Sequence, residues 1–151
     1  MFFGELDLVK GLEDEIDFSN DVIVLWEEEI NEINTTLWYG KGSPITTELL
    51  DAFAKFVTDF KDNDKKARLA LEEYLSEDDE YIVFHREEIE LDVPEDVKEF
   101  TKEMKVTNIG LWIDGENSII VDYMIDPEES DEILAVKFDS NLEFVDIAWE
   151  S

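Results

Sequence analysis

The chain predicts an α+β fold built as an N-terminal β-ribbon, a helical middle segment and a C-terminal four-stranded antiparallel meander, all within one domain over residues 1–151. Three observations carry this. Apolar residues recur at helical spacing through the middle of the chain and at strand spacing after Lys105. Gly, Pro, Asn and Asp punctuate the alternating runs where turns are needed. Apolar side chains make up 44% of the 151 residues, enough for one real core and too many for a disordered chain despite its charge.

The ribbon comes first. Residues 12–18 alternate weakly, Ser19-Asn20-Asp21 is turn chemistry, and Val22-Ile23-Val24-Leu25-Trp26 is β-branched and apolar. Residues 31–43 hold Asn, Thr and Gly without a period and read as a loop. Ser43-Pro44 then starts a helix, Ser as cap and Pro in the first turn. Its apolar face is Ile45, Leu49, Leu50, Phe53, Phe56, Val57 and Phe60. Asp62-Asn63-Asp64 ends this helix and caps a second, with Ala67, Ala70, Leu71, Tyr74 and Leu75 inward. Ser76-Glu77-Asp78-Asp79 resembles a capping box for a third, through Ile89, with Tyr81, Ile82, Phe84 and Ile89 inward. A short fourth follows Asp92-Val93-Pro94-Glu95 and carries Val97, Phe100 and Met104.

Beyond Lys105 the period falls to 2. Four runs, 107–113, 118–125, 133–138 and 142–149, are joined by turn residues at Asp114-Gly115-Glu116-Asn117, Asp126-Pro127 and Asp139-Ser140-Asn141. One face holds Ile109, Leu111, Ile113, Ile119, Val121, Tyr123, Ile125, Leu134, Val136, Phe138, Val145, Ile147 and Trp149. The other should be plainly polar if it met only water. Instead it mixes Trp112, Ile120, Met124, Leu142, Phe144 and Ala148 with Asp122, Lys137 and Asp146. Either a helix or the ribbon with Trp26 covers this face, or it is a binding face. Aromatics and Met are enriched at interface cores, and carboxylates answer a basic partner.

Charge sharpens the second reading. Acidic residues outnumber basic ones 42 to 12 for a net charge of −30, and each third of the chain contributes −10. The whole folded surface is therefore anionic, which excludes nucleic-acid backbones and anionic membranes as partners and favours a cationic protein. Local clusters are what a partner feels across a Debye length of about 8 Å. The densest are Glu27-Glu28-Glu29, Glu77-Asp78-Asp79-Glu80 and Glu128-Glu129 with Asp131-Glu132. A halophilic origin fits poorly, since Lys dominates the few bases.

Cysteine is absent, so no disulfide framework or thiolate metal site is expected. Met1-Phe2-Phe3-Gly4-Glu5 lacks the basic start of a signal peptide, and the longest apolar run, residues 22–26, is far short of a membrane span. A cytoplasmic location is the expectation.

Motifs for chemistry are sparse. His85 is the only histidine, and on a helix Glu88 lies one turn on, so an imidazole–carboxylate pair could do acid–base work. No cysteine or G-x-S-x-G serine supplies a nucleophile, and a packing role for His85 is the simpler reading. One His and no Cys argue against zinc, and no calcium-loop pattern appears. Gly40-Lys41-Gly42-Ser43 has the wrong spacing for a phosphate loop and reads as a connector. Lys61, Lys65, Lys66 and Arg68 form the one basic stretch, suited to pairing with neighbouring acids. With so many carboxylates, a glycosidase-like pair carries no information. No cofactor is expected.

Several phrases resemble a bacterial family catalogued as domain of unknown function two-thousand-and-four. They are Phe3-Gly4-Glu5-Leu6, the helix start at 64–70, Tyr81-Ile82-Val83-Phe84-His85, Ile109-Gly110-Leu111-Trp112, Asp122-Tyr123-Met124-Ile125, and Ile133-Leu134-Ala135-Val136-Lys137-Phe138-Asp139 onward to Glu150-Ser151. The resemblance implies a bacterial α+β domain and brings no catalytic residues. Small acidic domains of this kind are often immunity proteins of toxin systems, by analogy. The expectation is a non-enzymatic protein that neutralises a basic partner such as a toxin nuclease. Its partner-binding residues would be Trp26, Glu27, Glu28, Glu29, Trp112, Asp122, Phe144 and Asp146. The rivals are a hydrolase-like enzyme using His85 with a carboxylate, and a domain that self-associates through the second sheet face.

Overall fold

Among the described residues, β-branched and aromatic runs pair into one six-stranded sheet in the order β1-β2-β3-β4-β5-β6. The computed structural model describes residues 22–30, 33–40, 47–113 and 118–150. The strands are β1 Val22–Ile30, β2 Ile33–Gly40, β3 Lys105–Ile113, β4 Ser118–Met124, β5 Ile133–Phe138 and β6 Phe144–Glu150. All neighbours are antiparallel except β2 and β3, which run parallel. Parallel neighbours need a long crossover, and the helical middle of the chain supplies it.

The fold class is α+β as expected, with two corrections. β1 pairs with β2; the expected ribbon strand at 12–18 lies outside the described residues, as do the turn at 19–21, Ser43-Pro44 and the turn at 114–117. Residues 33–40, expected as loop, form β2. Its polar residues find partners far along the chain: Asn34 Nδ2 donates to Asn108 Oδ1 at 2.7 Å, and Thr36 Oγ1 donates to the same oxygen at 3.1 Å. Finally, the meander is not a sheet of its own. β3 carries β2 on its far side, so the sheet is mixed.

The helices are α1 Thr47–Thr58, α2 Phe60–Glu77, α3 Glu80–Val83 and α4 Val97–Glu103. The break after α1 falls at Asp59, earlier than the expected 62–64. Asn63 still manages it: its buried amide donates to the Phe56 carbonyl at 2.9 Å, satisfying a group that the ended helix leaves open. α3 begins at Glu80, whose N–H is taken by Asp78 Oδ1 at 3.0 Å, and runs into a π-helical turn over Phe84–Glu88. α4 is capped by Asp96, which accepts from the Glu99 N–H at 3.1 Å, one turn beyond the expected Asp92.

One cluster joins these helices to one face of the sheet. Phe53 and Phe56 of α1, Leu71 and Leu75 of α2, Tyr81 of α3 and Phe100 of α4 pack with Ile119, Val121, Tyr123, Leu134, Val136 and Phe138, all at 0–1% exposure. Each such Phe contributes roughly 1.5–3 kcal/mol by leaving water. Arg68 fastens the layers. Its Nε meets Asp64 at 3.0 Å, its Nη1 donates to the Thr101 and Met104 carbonyls at 2.7 and 3.0 Å, and its guanidinium lies over the Tyr123 ring. The expected pairing of the basic stretch with acids thus holds for Arg68.

Candidate functional site

The sheet's second face is built from the alternate positions of the same strands. Register puts Thr36, Gly110, Ile120, Lys137 and Asp146 in one cross-strand row. Asn34, Asn108, Asp122, Ala135 and Ala148 form the next. Trp112 is registered opposite Ser118, on the far side of the Ile120 row from Asp122. Small residues floor this face: Gly110, Ser118 and Ala135 are buried. Larger side chains stand around that floor, and the result is a concavity of about 410 Å³ lined by Asn108, Trp112, Ser118, Ile120, Asp122, Lys137 and Glu150.

Asp122 is the electrostatic centre. Burial pushes its carboxyl up to about 6, and the nearby Glu150 carboxylate pushes the same way. Lys137 is registered against Asp146 on β6, an oppositely charged cross-strand neighbour. An acid held above its ordinary range in a concavity is a marker of a functional site.

Of the sequence-predicted residues, the structure puts Trp112 and Asp122 in one concavity, while Asp146, exposed, is registered against Lys137 and does not line it. Trp26, Glu27, Glu28 and Glu29 are consecutive on β1, the end strand of the sheet among the described residues, with Trp26 registered to Leu37 and the glutamates to Thr36, Thr35 and Asn34. β1 pairs in the plane of the sheet and does not cross its second face.

Phe144 is a correction. Lys137 pairs with Asp146 but Phe138 pairs with Phe144, so Val145 is an extra, bulged residue. Phe144 therefore falls on the side of Phe138, whose ring it meets edge-on at 6.4 Å. Val145, expected inward, is 53% exposed. Leu142 is likewise off the second face. It sits in the turn before β6 at φ 66° and packs on the core. Residues that sequence reasoning missed are Asn108, Ser118 and Glu150. Asn108 and Ser118 lie at the right parity but are neither aromatic nor charged, and Glu150 follows the last expected strand residue.

His85 is fully enclosed, at 0% exposure, among Tyr81, Phe84 and Phe100. Its Nδ1–H donates to the Tyr81 carbonyl at 2.7 Å, which leaves Nε2 to accept from the Ser130 hydroxyl at 2.8 Å. Ser130 Oγ in turn accepts from the Glu132 N–H at 3.1 Å. Both ring nitrogens are thus used, and the rival pair with exposed Glu88 is not formed. Burial lowers the imidazole pKa and keeps the ring neutral.

Among the described residues no group of acids and His could hold a metal ion, and no helix is long and apolar enough to cross a membrane. The chain matches no protein-family model, no curated protein and no solved structure.

Proposed function

We propose that the chain is a non-enzymatic, cytoplasmic binding protein of the bacterial immunity type, related to domain of unknown function two-thousand-and-four, that neutralises a basic protein such as a toxin nuclease. The observation that supports this is the meeting of Trp112 and Asp122 in one concavity, with Asp146 in a neighbouring cross-strand row, on a chain of net charge −30. Such a face would compete with nucleic acid for a basic cleft. Its acidic field speeds encounter, and a partly buried aromatic supplies lifetime.

A hydrolase reading has one observation in its favour, the Ser130–His85 hydrogen bond. The enclosure of the ring weighs against it, because a general base must reach its substrate.

The test is co-expression with the basic product of an adjacent reading frame. Inhibition of that protein's activity, with association that slows as salt rises, is the expected result. Reversing Glu27, Glu28 and Glu29 to Lys should lower the association rate and flatten its salt dependence. No inhibition by the wild-type chain would sink the reading. Unchanged rate and slope in the reversal variant would remove β1 from the site.

A further inference from the structure

We propose that β6 takes up an extended basic segment of the partner as a further strand, pairing along residues 146–150 with the segment's cationic side chains beside Asp146 and Glu150. This rests on the reading of a basic protein partner. It goes beyond that reading by naming the conformation of the docked segment and the edge it joins.

The first ground is an available edge. β6 ends the sheet, with β5 as its one strand neighbour among the described residues. An antiparallel strand with one neighbour turns alternate N–H and C=O groups outward, and these template a new strand. The second ground is regularity with exposure. Beyond the bulge at Val145 the register with β5 runs unbroken from Asp146 to Glu150. Asp146, Ala148 and Glu150 are all exposed there. Ala148 has only a methyl group to shield its backbone, so a second main chain can approach closely. Val145, at 53% exposure, adds apolar surface where this stretch begins, whereas Phe144 lies before the bulge and outside it. The third ground is charge, which selects the occupant. From Asp139 to Glu150 the chain carries four acids and no base. Lys137, across on β5, is registered against Asp146 alone of these. On the helical side the hydroxyl of half-buried Tyr74 is pushed up by burial and then by Asp78, Glu80 and Asp146, so the acidic field continues onto the junction of α2 and α3. A second copy of this chain is a poor occupant, because antiparallel pairing centred on Ala148 would set Asp146 against Glu150 of the other copy. A basic strand meets opposite charges at those same positions. Main-chain bonds then give affinity and alternate side chains give specificity.

The experiment adds a short peptide alternating lysine and valine to the full chain and follows backbone amides by NMR and hydrogen exchange. The peptide should bind saturably and slow exchange within residues 146–150. An analogue N-methylated at every amide should bind at least about tenfold more weakly, having lost its main-chain donors. Asp146→Lys combined with Glu150→Lys should weaken the peptide at least about tenfold, and more than Asp51→Lys combined with Glu103→Lys, an equal charge change at exposed sites on the helices. Equal binding of the N-methylated analogue, equal effects of the two double reversals, or no saturable response would each overturn the proposal. Exchange on β6 that slows with protein concentration and no peptide would assign the edge to a second copy and overturn it too. If the peptide instead perturbs Asn108, Trp112 and Ile120 around the concavity, the edge is wrong and the docking face stands. If no basic peptide binds and the co-expressed basic product is not inhibited, both fall.

Discussion

Asp122 and Tyr123 are neighbours on β4 and face opposite worlds. Tyr123 points into the helical layer at 0% exposure, where its hydroxyl donates to Asp64 at 2.5 Å and Arg68 holds that carboxylate from the other side. Its polar atom is buried and fully engaged, and burial with the Asp64 hydrogen bond raises its pKa. Asp122, one residue earlier, is pushed up to about 6 by burial and by another acid. The contrast recurs at His85, where both nitrogens are partnered. One face spends its polar groups on holding layers together. The other holds a half-buried carboxylate above its ordinary range in a concavity it shares with Lys137 and Glu150.

The largest effect should come from breaking the first face. Phe56 is fully buried and meets both Phe60 and Phe138 ring to ring. Phe56→Ala should cost about 3–5 kcal/mol in denaturant unfolding, through lost transfer energy and the cavity left behind. A cost under about 1 kcal/mol would mean that the α1–sheet packing described here is wrong.

The second face should respond in the opposite direction. The folded-state pKa of Asp122 lies above its ordinary 3.8, so its proton favours the folded state. That contribution is complete below about pH 4 and disappears as pH rises through about 6. The shift corresponds to about 3 kcal/mol, which partial exposure discounts to on the order of 2 kcal/mol. Asp122→Asn should therefore stabilise the protein by that amount at neutral pH and change little at about pH 3. Destabilisation at neutral pH would show that the carboxylate has a structural partner and would erase the contrast between the faces.

His85 runs the other way. A histidine whose folded pKa is lowered contributes stability above its ordinary value of 6.5 that is lost as pH falls through the folded value. As the only histidine, it gives one set of imidazole NMR signals, which should stay in the neutral form when titrated through 6.5. Ser130→Ala, which leaves Nε2 buried without a donor, should cost about 1–3 kcal/mol. Normal titration near 6.5 would mean an open ring and would revive the catalytic reading.

Much of the fold was legible because period and turn chemistry are local. The alternation of Ile119, Val121 and Tyr123, and of Leu134, Val136 and Phe138, reads the sheet's inner face correctly. Three things were not local. β2 was missed because Asn34 and Thr36 are satisfied by Asn108, more than seventy residues away. The bulge at Val145 shifts parity by one residue, which no alternation pattern reveals, and it moved Phe144 off the proposed face. The concavity is lined in part by Ser118 and Asn108, and small or neutral polar residues carry no signal in a search for charges and aromatics. Asp122 and Trp112 were visible as residues; their shared hollow was not.

The smallest effect tests that shift of parity. Phe144 is 47% exposed and touches the core only at its edge, so Phe144→Ala should cost about 1 kcal/mol or less. Since it lies on the helical side of β6, the same change should leave binding of an arginine-rich peptide within about twofold of wild type. Trp112→Ala should weaken that binding by more than about tenfold. The two aromatics were indistinguishable as residues of one expected face, so equal losses would return Phe144 to that face and rule out the bulge. Unequal losses, with Trp112 dominant, tie recognition to the side of the sheet where Asp122 lies.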